Sequence, residues 1–269
     1  DGTLETEGIA VTLVFVDSTQ GWLVTDSGLQ SELPTPQFIT ATGGTITTSG
    51  NFKIHTFTGP GTFTVCSVGN SQGSNTVDYM VVAAGGGGGG AGSDRGGGGG
   101  GAGGWRASSG AASGCYTAGP GPLTSPVSAL PVTATGFPIT VGSGGAGSSG
   151  PPSQASQGGQ SVFSTVTSAG GGAGQNSFCN PSFGGSAGNG GSGGGAGAGG
   201  TVAAGKGSGN TPPVTPPQGF DGGPSCSPGQ TGPNRGGHGG GGAGGLGQDS
   251  QGPPSQGAKG GVGVTSCIT

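Results

Sequence analysis

Residues 80–105 read MVVAAGGGGGGAGSDRGGGGGGAGGW. Two runs of six glycines flank a short AGSDR interruption. Glycine loses more conformational freedom on folding than any other residue. Ordering one residue costs roughly 1–2 kcal/mol of backbone entropy. A backbone hydrogen bond returns a net of about 0.5–1.5 kcal/mol. Six glycines bury almost no apolar surface, so an isolated run would remain a coil. It can be ordered only where nearly every N–H and C=O finds a partner on a neighbouring run.

The chain offers such neighbours. Glycine blocks recur at 85–104, 142–150, 170–174, 184–200, 205–209 and 236–247. Polyproline II geometry has three residues per turn, about 3.1 Å of rise and no internal hydrogen bonds. Its donors and acceptors point outward in three directions. Without Cβ atoms, several such helices can pack side by side and bond laterally. Six glycines would span about 19 Å at that rise. The expected fold is mostly β and polyglycine II, with no α-helix. No window carries apolar residues at helical spacing. Alanines among the glycines (Ala91, Ala102, Ala173, Ala187, Ala196 and Ala198) are expected on outward faces. The loops between blocks would be presented at the ends of the bundle.

Composition alone would give a different answer. Glycine and proline number 75 and 20 of 269 residues, a proportion usual for low-complexity, disordered chains. Collagen requires glycine at every third position, and unbroken blocks exclude it. Residues 1–32 carry six acids and no Lys or Arg, whereas the other 237 residues carry four acids and six bases. Six scattered bases make no nucleic-acid stripe. No stretch approaches the ~20 apolar residues of a membrane helix.

Three segments emerge. Residues 1–36 read as the end of a β-domain with a Pro-rich joint, LPTPQ, at 33–37. VTLVFV (11–16) and WLVT (22–25) form a hairpin around DSTQG, and the apolar run predicts a strand buried on both faces. Trp22 is expected against that strand or against another copy. Residues 37–84 read as a β-hairpin and strand segment: FKIHTFT (52–58) pairs with GTFTVCSV (61–68), and NTVDYMVVAA (75–84) follows. Residues 85–269 form the glycine-rich bundle. It is punctuated by β-like pieces at FPITV (137–141), SVFSTVTS (161–168) and GVGVTSCIT (261–269).

Catalytic patterns fail on inspection. GTVAAGKG (200–207) approaches a phosphate loop, but Gly207 stands where a Ser or Thr would hold magnesium. A chain with 75 glycines makes such matches by chance. His55 lies in a strand and His238 in a glycine block, and no triad-like grouping accompanies either. No enzyme, cofactor or metal is expected. The five cysteines form no CxxC pair. Cys66 and Cys267 are the candidate disulfide, with free thiols the alternative. Contact residues are sought in the loops: Trp105, Arg106 and Tyr116 in the longest, and Phe178, Phe183, Phe220 and Asp221 in others. Aromatics and Arg are enriched at binding hot spots. The competing reading is that they cover the bundle's ends or pack on a neighbouring subunit.

HTFTGPGTFTV followed by VDYMVVAAGGGGGG resembles the phage-type glycine-rich domain of tail-fibre and tail-tip proteins. Its usual pattern is FTxSGTFTV, a spacer, then VxxLVVxGGGGGG. FPITVGSGGAG and SVFSTVTSAGGGAG look similar to later parts of that family. GNTPPVTPPQGFDGG is similar to segments of glycine-rich tail proteins in marine cyanophage-like viruses. The opening β-segment resembles the end of a trimeric tail-fibre domain. The resemblance covers about residues 52–269 and rests more on motif order than on any one motif. The family pattern does not include the five cysteines. The resemblance implies a virion appendage on the extracellular particle. It would be a homo-oligomer, of the trimer type, touching a host-surface protein or glycan through loops of a polyglycine II adhesin. The alternative is a structural subunit of an extracellular filament without a receptor.

Overall fold

The computed structural model describes residues 10–28, 35–92, 95–108, 110, 128–150, 153–177, 186–198, 205–224, 236–250 and 256–265. Its strands are β1 (Ala10–Asp17), β2 (Gly21–Gly28), β3 (Thr40–Thr42), β4 (Thr45–Ser49), β5 (Phe52–Thr56), β6 (Gly61–Ser67) and β7 (Thr76–Val77). These are followed by β8 (Met80–Val82), β9 (Trp105–Ala107), β10 (Leu130–Pro131), β11 (Gly136–Thr140), β12 (Ser161–Phe163) and β13 (Val166–Ser168). No helix occurs among the described residues.

β1 and β2 form the expected antiparallel hairpin. Its burial differs from the expectation. Leu13, Val14, Phe15, Val16, Leu23, Val24 and Trp22 are all exposed. Trp22 stacks only tilted on Phe15, with ring centroids 5.4 Å apart. Among the described residues nothing covers the apolar side chains on the two faces of this two-stranded ribbon.

The second hairpin is also corrected. β5 pairs with β4, not with β6. The reversal falls at Gly50, whose φ of 55° lies in the region that suits glycine. β6 instead sits inside a five-stranded sheet of order β13-β12-β11-β6-β3. β6 earns that central place by its alternation. Phe63 and Val65 point inward and pack with Val132, Phe57, Phe137, Ile139 and Phe163. Phe63 meets Phe163 edge-to-face at 5.9 Å and His55 at 5.0 Å. Such pairs add about 0.5–1.5 kcal/mol beyond area burial. The piece expected at 161–168 is a tight hairpin of β12 and β13.

From residue 83 the bonding pattern changes from the period of two that a strand imposes to a period of three. Ala83, Gly86 and Gly89 donate to Gly104, Gly101 and Gly98. Gly98, Gly101 and Gly104 in turn donate to Gln175, Gly172 and Ala169. Gly171, Gly174 and Ser177 donate to Ala84, Gly87 and Gly90. Ser192, Gly195 and Ala198 donate to Ala102, Gly99 and Gly96. A second set, one residue on, goes to a different neighbour: Gly99 and Ala102 to His238 and Gly241, and Gly193 and Ala196 to Phe220 and Gly223. Each run therefore bonds sideways in several directions.

These bonds arrange the runs in layers. The first layer runs 142–150, 83–92, 95–104, 236–243, 256–265, each bonded to the next. The second runs 153–160, 168–177, 191–198, 218–224, 245–250. Segments 186–190 and 205–209 begin a third. The 168–177, 191–198 and 236–242 runs lie at the centre and are almost wholly buried.

Glycine is needed there because of close approach. A Cβ built on Gly87 would overlap the Ala146 carbonyl, one on Gly98 that of Gly195, and one on Gly172 that of Gly188. The alanines follow the expected rule only in part: Ala91 is exposed, and Ala102 and Ala173 are half-buried. Ala187, Ala196 and Ala198 are buried rather than outward. The lattice leaves a few interior places where a methyl group fits between runs, and alanine occupies them.

A matched pair tests this. Gly87→Val should cost more than about 4 kcal/mol, the range of severe steric mutations. Gly88→Ala is exposed, its nearest neighbour to a Cβ is 3.9 Å away, and it should stay within about 0.5 kcal/mol of the parent. Denaturant unfolding of the two variants checks both outcomes.

Candidate binding loop

The segment GNTPPVTPPQGFDGG (209–223) contains a loop fixed at both ends by side-chain hydrogen bonds. Proline fixes φ and gives up its N–H, so the prolines leave few backbone donors to organise the turn. Asn210 supplies the organisation. Its φ is 47°, a conformation that Asn tolerates better than most residues. Its Oδ1 accepts the N–H groups of Val214 (3.1 Å) and Gln218 (3.2 Å), and its Nδ2 donates to the Val214 carbonyl (3.1 Å). The backbone N–H groups of Asn210 and Thr211 anchor on Gly191 and Gly190. The Thr211–Pro212 and Thr215–Pro216 peptide bonds are cis.

Gln218 locks the other end. It is 1% exposed. Its Oε1 accepts the Ala169 N–H at 2.8 Å, its Nε2 donates to the Pro212 carbonyl at 2.9 Å, and its own carbonyl accepts the Trp105 N–H at 2.8 Å. One residue thus ties the loop to the 168–177 run through its side chain and to β9 through its backbone carbonyl. What remains outside is Pro212, Pro213 and Thr215, all exposed, with Val214 half-buried between them.

At the loop's foot, Lys206 Nζ lies 2.9 Å from Asp221 Oδ2, and Asp221 Oδ1 accepts the Gly209 N–H at 2.8 Å. Burial pushes the Asp221 carboxyl up, but the Lys206 and Gly209 hydrogen bonds outweigh it and hold the group below its usual range. The ion pair is partly exposed, so its contribution to stability is small. Lys206, the would-be phosphate lysine, is therefore engaged by a carboxylate.

The expected contact residues separate. Trp105 is not in an exposed loop: it is 7% exposed, paired in β9 to β8, and packed with Ala107, Met80, Ala243 and Val264. Pairing with β8 puts the indole on the face it shares with Met80 and Ala107, and Ala243 and Val264 cover it there. Arg106, the next residue, is half-buried on the opposite face. Phe220 and Asp221 are half-buried at the foot of the 209–218 loop. Tyr116, Phe178 and Phe183 lie outside the described residues, as does Cys267. Cys66 is an exposed free cysteine.

Two features escaped the sequence reading. Asn210 and Gln218 carry the loop, although only their prolines stood out. His238 is a buried polar residue, 3% exposed, inside a central glycine run. The Ser250 N–H donates to its Nδ1 at 3.1 Å, and Asp249 Oδ1 lies 3.1 Å from the same nitrogen. Burial drives the imidazole pKa down, and Asp249 opposes this without reversing it. No group of His, Cys, Asp and Glu arranged for a metal ion occurs among the described residues.

A profile of the glycine-rich domain family matches residues 57–268. The chain belongs to the glycine-rich domain family. That match starts in the Phe57 turn before β6 and covers four strands of the five-stranded sheet, β3 excepted, together with the layers of glycine runs. No curated protein and no solved structure matches the chain.

Two outcomes follow. Gln218→Ala leaves the Ala169 N–H and the Pro212 carbonyl without partners, and should cost about 1–3 kcal/mol for each group left unsatisfied. The His238 pKa is lower folded than unfolded, so its contribution is fully present above the ordinary value of 6.5 and declines as pH falls below it. The melting temperature should drop between about pH 7 and about pH 5. His238→Asn retains an acceptor for Ser250 but does not titrate, and should flatten that slope.

Proposed function

We propose that this glycine-rich domain protein is a virion appendage subunit, in a tail fibre or tail tip, that attaches to a host surface. Its runs are polyglycine II helices, and their bundle is a rigid, nearly uncharged platform. The observation that carries the reading is the 209–218 loop. Asn210 and Gln218 turn inward to fix the backbone, and Pro212, Pro213 and Thr215 are left outside. A loop already ordered in the free protein loses little entropy on binding. Support also comes from the order of the GTFTV, MVVAAGGGGGG and NTPPVTPPQGF motifs, similar to that of phage-type glycine-rich domains. The partner class is a host-surface protein or glycan, and the assembly is a homo-oligomer with trimer as the expected form. Work is done by binding, with no catalytic step.

The exposed apolar faces of the β1–β2 hairpin favour a second reading, in which contacts with other subunits dominate and no receptor is involved. Fluorescently labelled protein can be scored for adsorption to a panel of cyanobacterial cells. The triple variant Pro212→Ala, Pro213→Ala, Thr215→Ala should lose at least about tenfold in adsorption, the scale of a hot-spot residue, with its melting temperature kept. Unchanged adsorption in a folded variant would remove the loop from the attachment surface.

A further inference from the structure

The two lateral edges of the first layer share one pattern. On the 142–150 edge, Gly145 and Ser148 donate to the 83–92 run, and the carbonyls of Ser143 and Ala146 accept from the 153–160 run. The third set of positions, Gly144 and Gly147, is exposed. A Cβ at Gly144 would have nothing within 4 Å, and one at Gly147 would have its nearest neighbour at 3.7 Å. On the opposite edge, Ala258 and Gly261 donate to Gly237 and Gly240, and the carbonyls of Lys259 and Val262 accept from Gln248 and Gly244. The third set is Gly257, Gly260 and Gly263, again exposed. Neighbours to a Cβ there are 3.8 Å away, 3.7 Å away and absent within 4 Å.

In the central runs 168–177, 191–198 and 236–242, collision explains the glycines. At these edge positions it does not, because alanine would fit and would restrict the unfolded chain. Glycine at all of them makes sense if another run packs there. In the central runs the occupant of the equivalent direction is a glycine-rich run of this same chain. An edge of unpaired backbone groups is a template for more of its own kind, as in β-sheets.

We infer that a second copy of the chain docks its 256–265 edge on the 142–150 edge, continuing the first layer across the interface. One displacement along the layer then fills both open edges, whereas pairing like edges would leave the other set uncovered. Direction is no obstacle. The 142–150 run lies parallel to 83–92, and 83–92 lies antiparallel to 95–104. An independent feature marks the same edge. Leu246 and Val262 are 58% and 66% exposed, and the Val262 side chain covers Gly245, giving an apolar strip beside the open glycines. Lys259 is the one charge on either edge, so no like-charge pair opposes the contact. A head-to-tail contact of this type generates a ring or an open row. The inference deepens the homo-oligomer part of the proposed function and is independent of what the 209–218 loop binds.

Light scattering on the full chain across a concentration series tests it. The parent should rise in multiples of 24.6 kDa. The variants Gly257→Ala/Gly260→Ala/Gly263→Ala and Gly144→Ala/Gly147→Ala should each remain monomeric, with melting temperatures equal to or above the parent's. An equal mixture of the two should form dimers that grow no further, since each keeps one intact edge. The inference is overturned by a parent that stays monomeric, by variants that associate like the parent, or by a mixture without dimers. A variant that fails to fold would overturn it as well, since a Cβ would then have no room. Cell adsorption by the same variants reads the attachment proposal separately.

Discussion

The structure depends on one constraint: a glycine backbone has nothing to bury, so its N–H and C=O groups must be paired by neighbouring backbone. The described glycine runs are built around that requirement. The three-residue repeat of donors gives each run several lateral partners. The close approach this demands excludes side chains at most interior positions. The runs in turn need a fixed starting point. The β8–β9 pair provides it: these strands lead into and out of the first pair of runs, and Tyr79 and Val81 pack with Val166 and Phe163 of the five-stranded sheet. Individual hydrogen bonds are weak net contributors, so the lattice is stable only as a collective.

The same constraint explains where side chains of consequence occur. A lattice of bare backbone has few places for polar groups, and those it buries act as clamps. Gln218 replaces a run's missing bond with its own amide, and Asn176 does so for the Gly90 N–H at 2.7 Å. Ser168 caps the Val81 carbonyl at 2.7 Å. His238 is the exception, an ionisable ring in a central run with a carboxylate beside it. Its presence gives a nearly uncharged scaffold a dependence on pH.

Much of the fold was legible in the sequence because glycine blocks have so few ordered solutions. Recurrent blocks, strands that feed them and the absence of helix all follow from entropy and hydrogen-bond accounting. The pairing of β5 with β4 was not legible. GTFTV and FKIHT both alternate, and alternation identifies strands without naming partners. The burial of Trp105 was missed for a related reason. Its position at the end of a glycine block suggested an exit into a loop, whereas Trp105–Ala107 form a strand paired with β8 and the ring is covered by Ala243 and Val264, distant in sequence. Asn210 and Gln218 give weak local signals, since a clamp is defined by what lies across from it in space. The buried alanines show that the lattice has interior gaps that composition cannot reveal.

Amide hydrogen exchange resolved by residue tests the central claim most directly. The account predicts strong protection of Gly98, Gly101, Gly172, Gly174, Gly193, Gly195 and Gly241, whose N–H groups bond to neighbouring runs. Gly144 and Gly263, whose Cβ directions are open, should exchange fast in the monomer. Glycine blocks that exchange uniformly at the rate of an unfolded chain would contradict it.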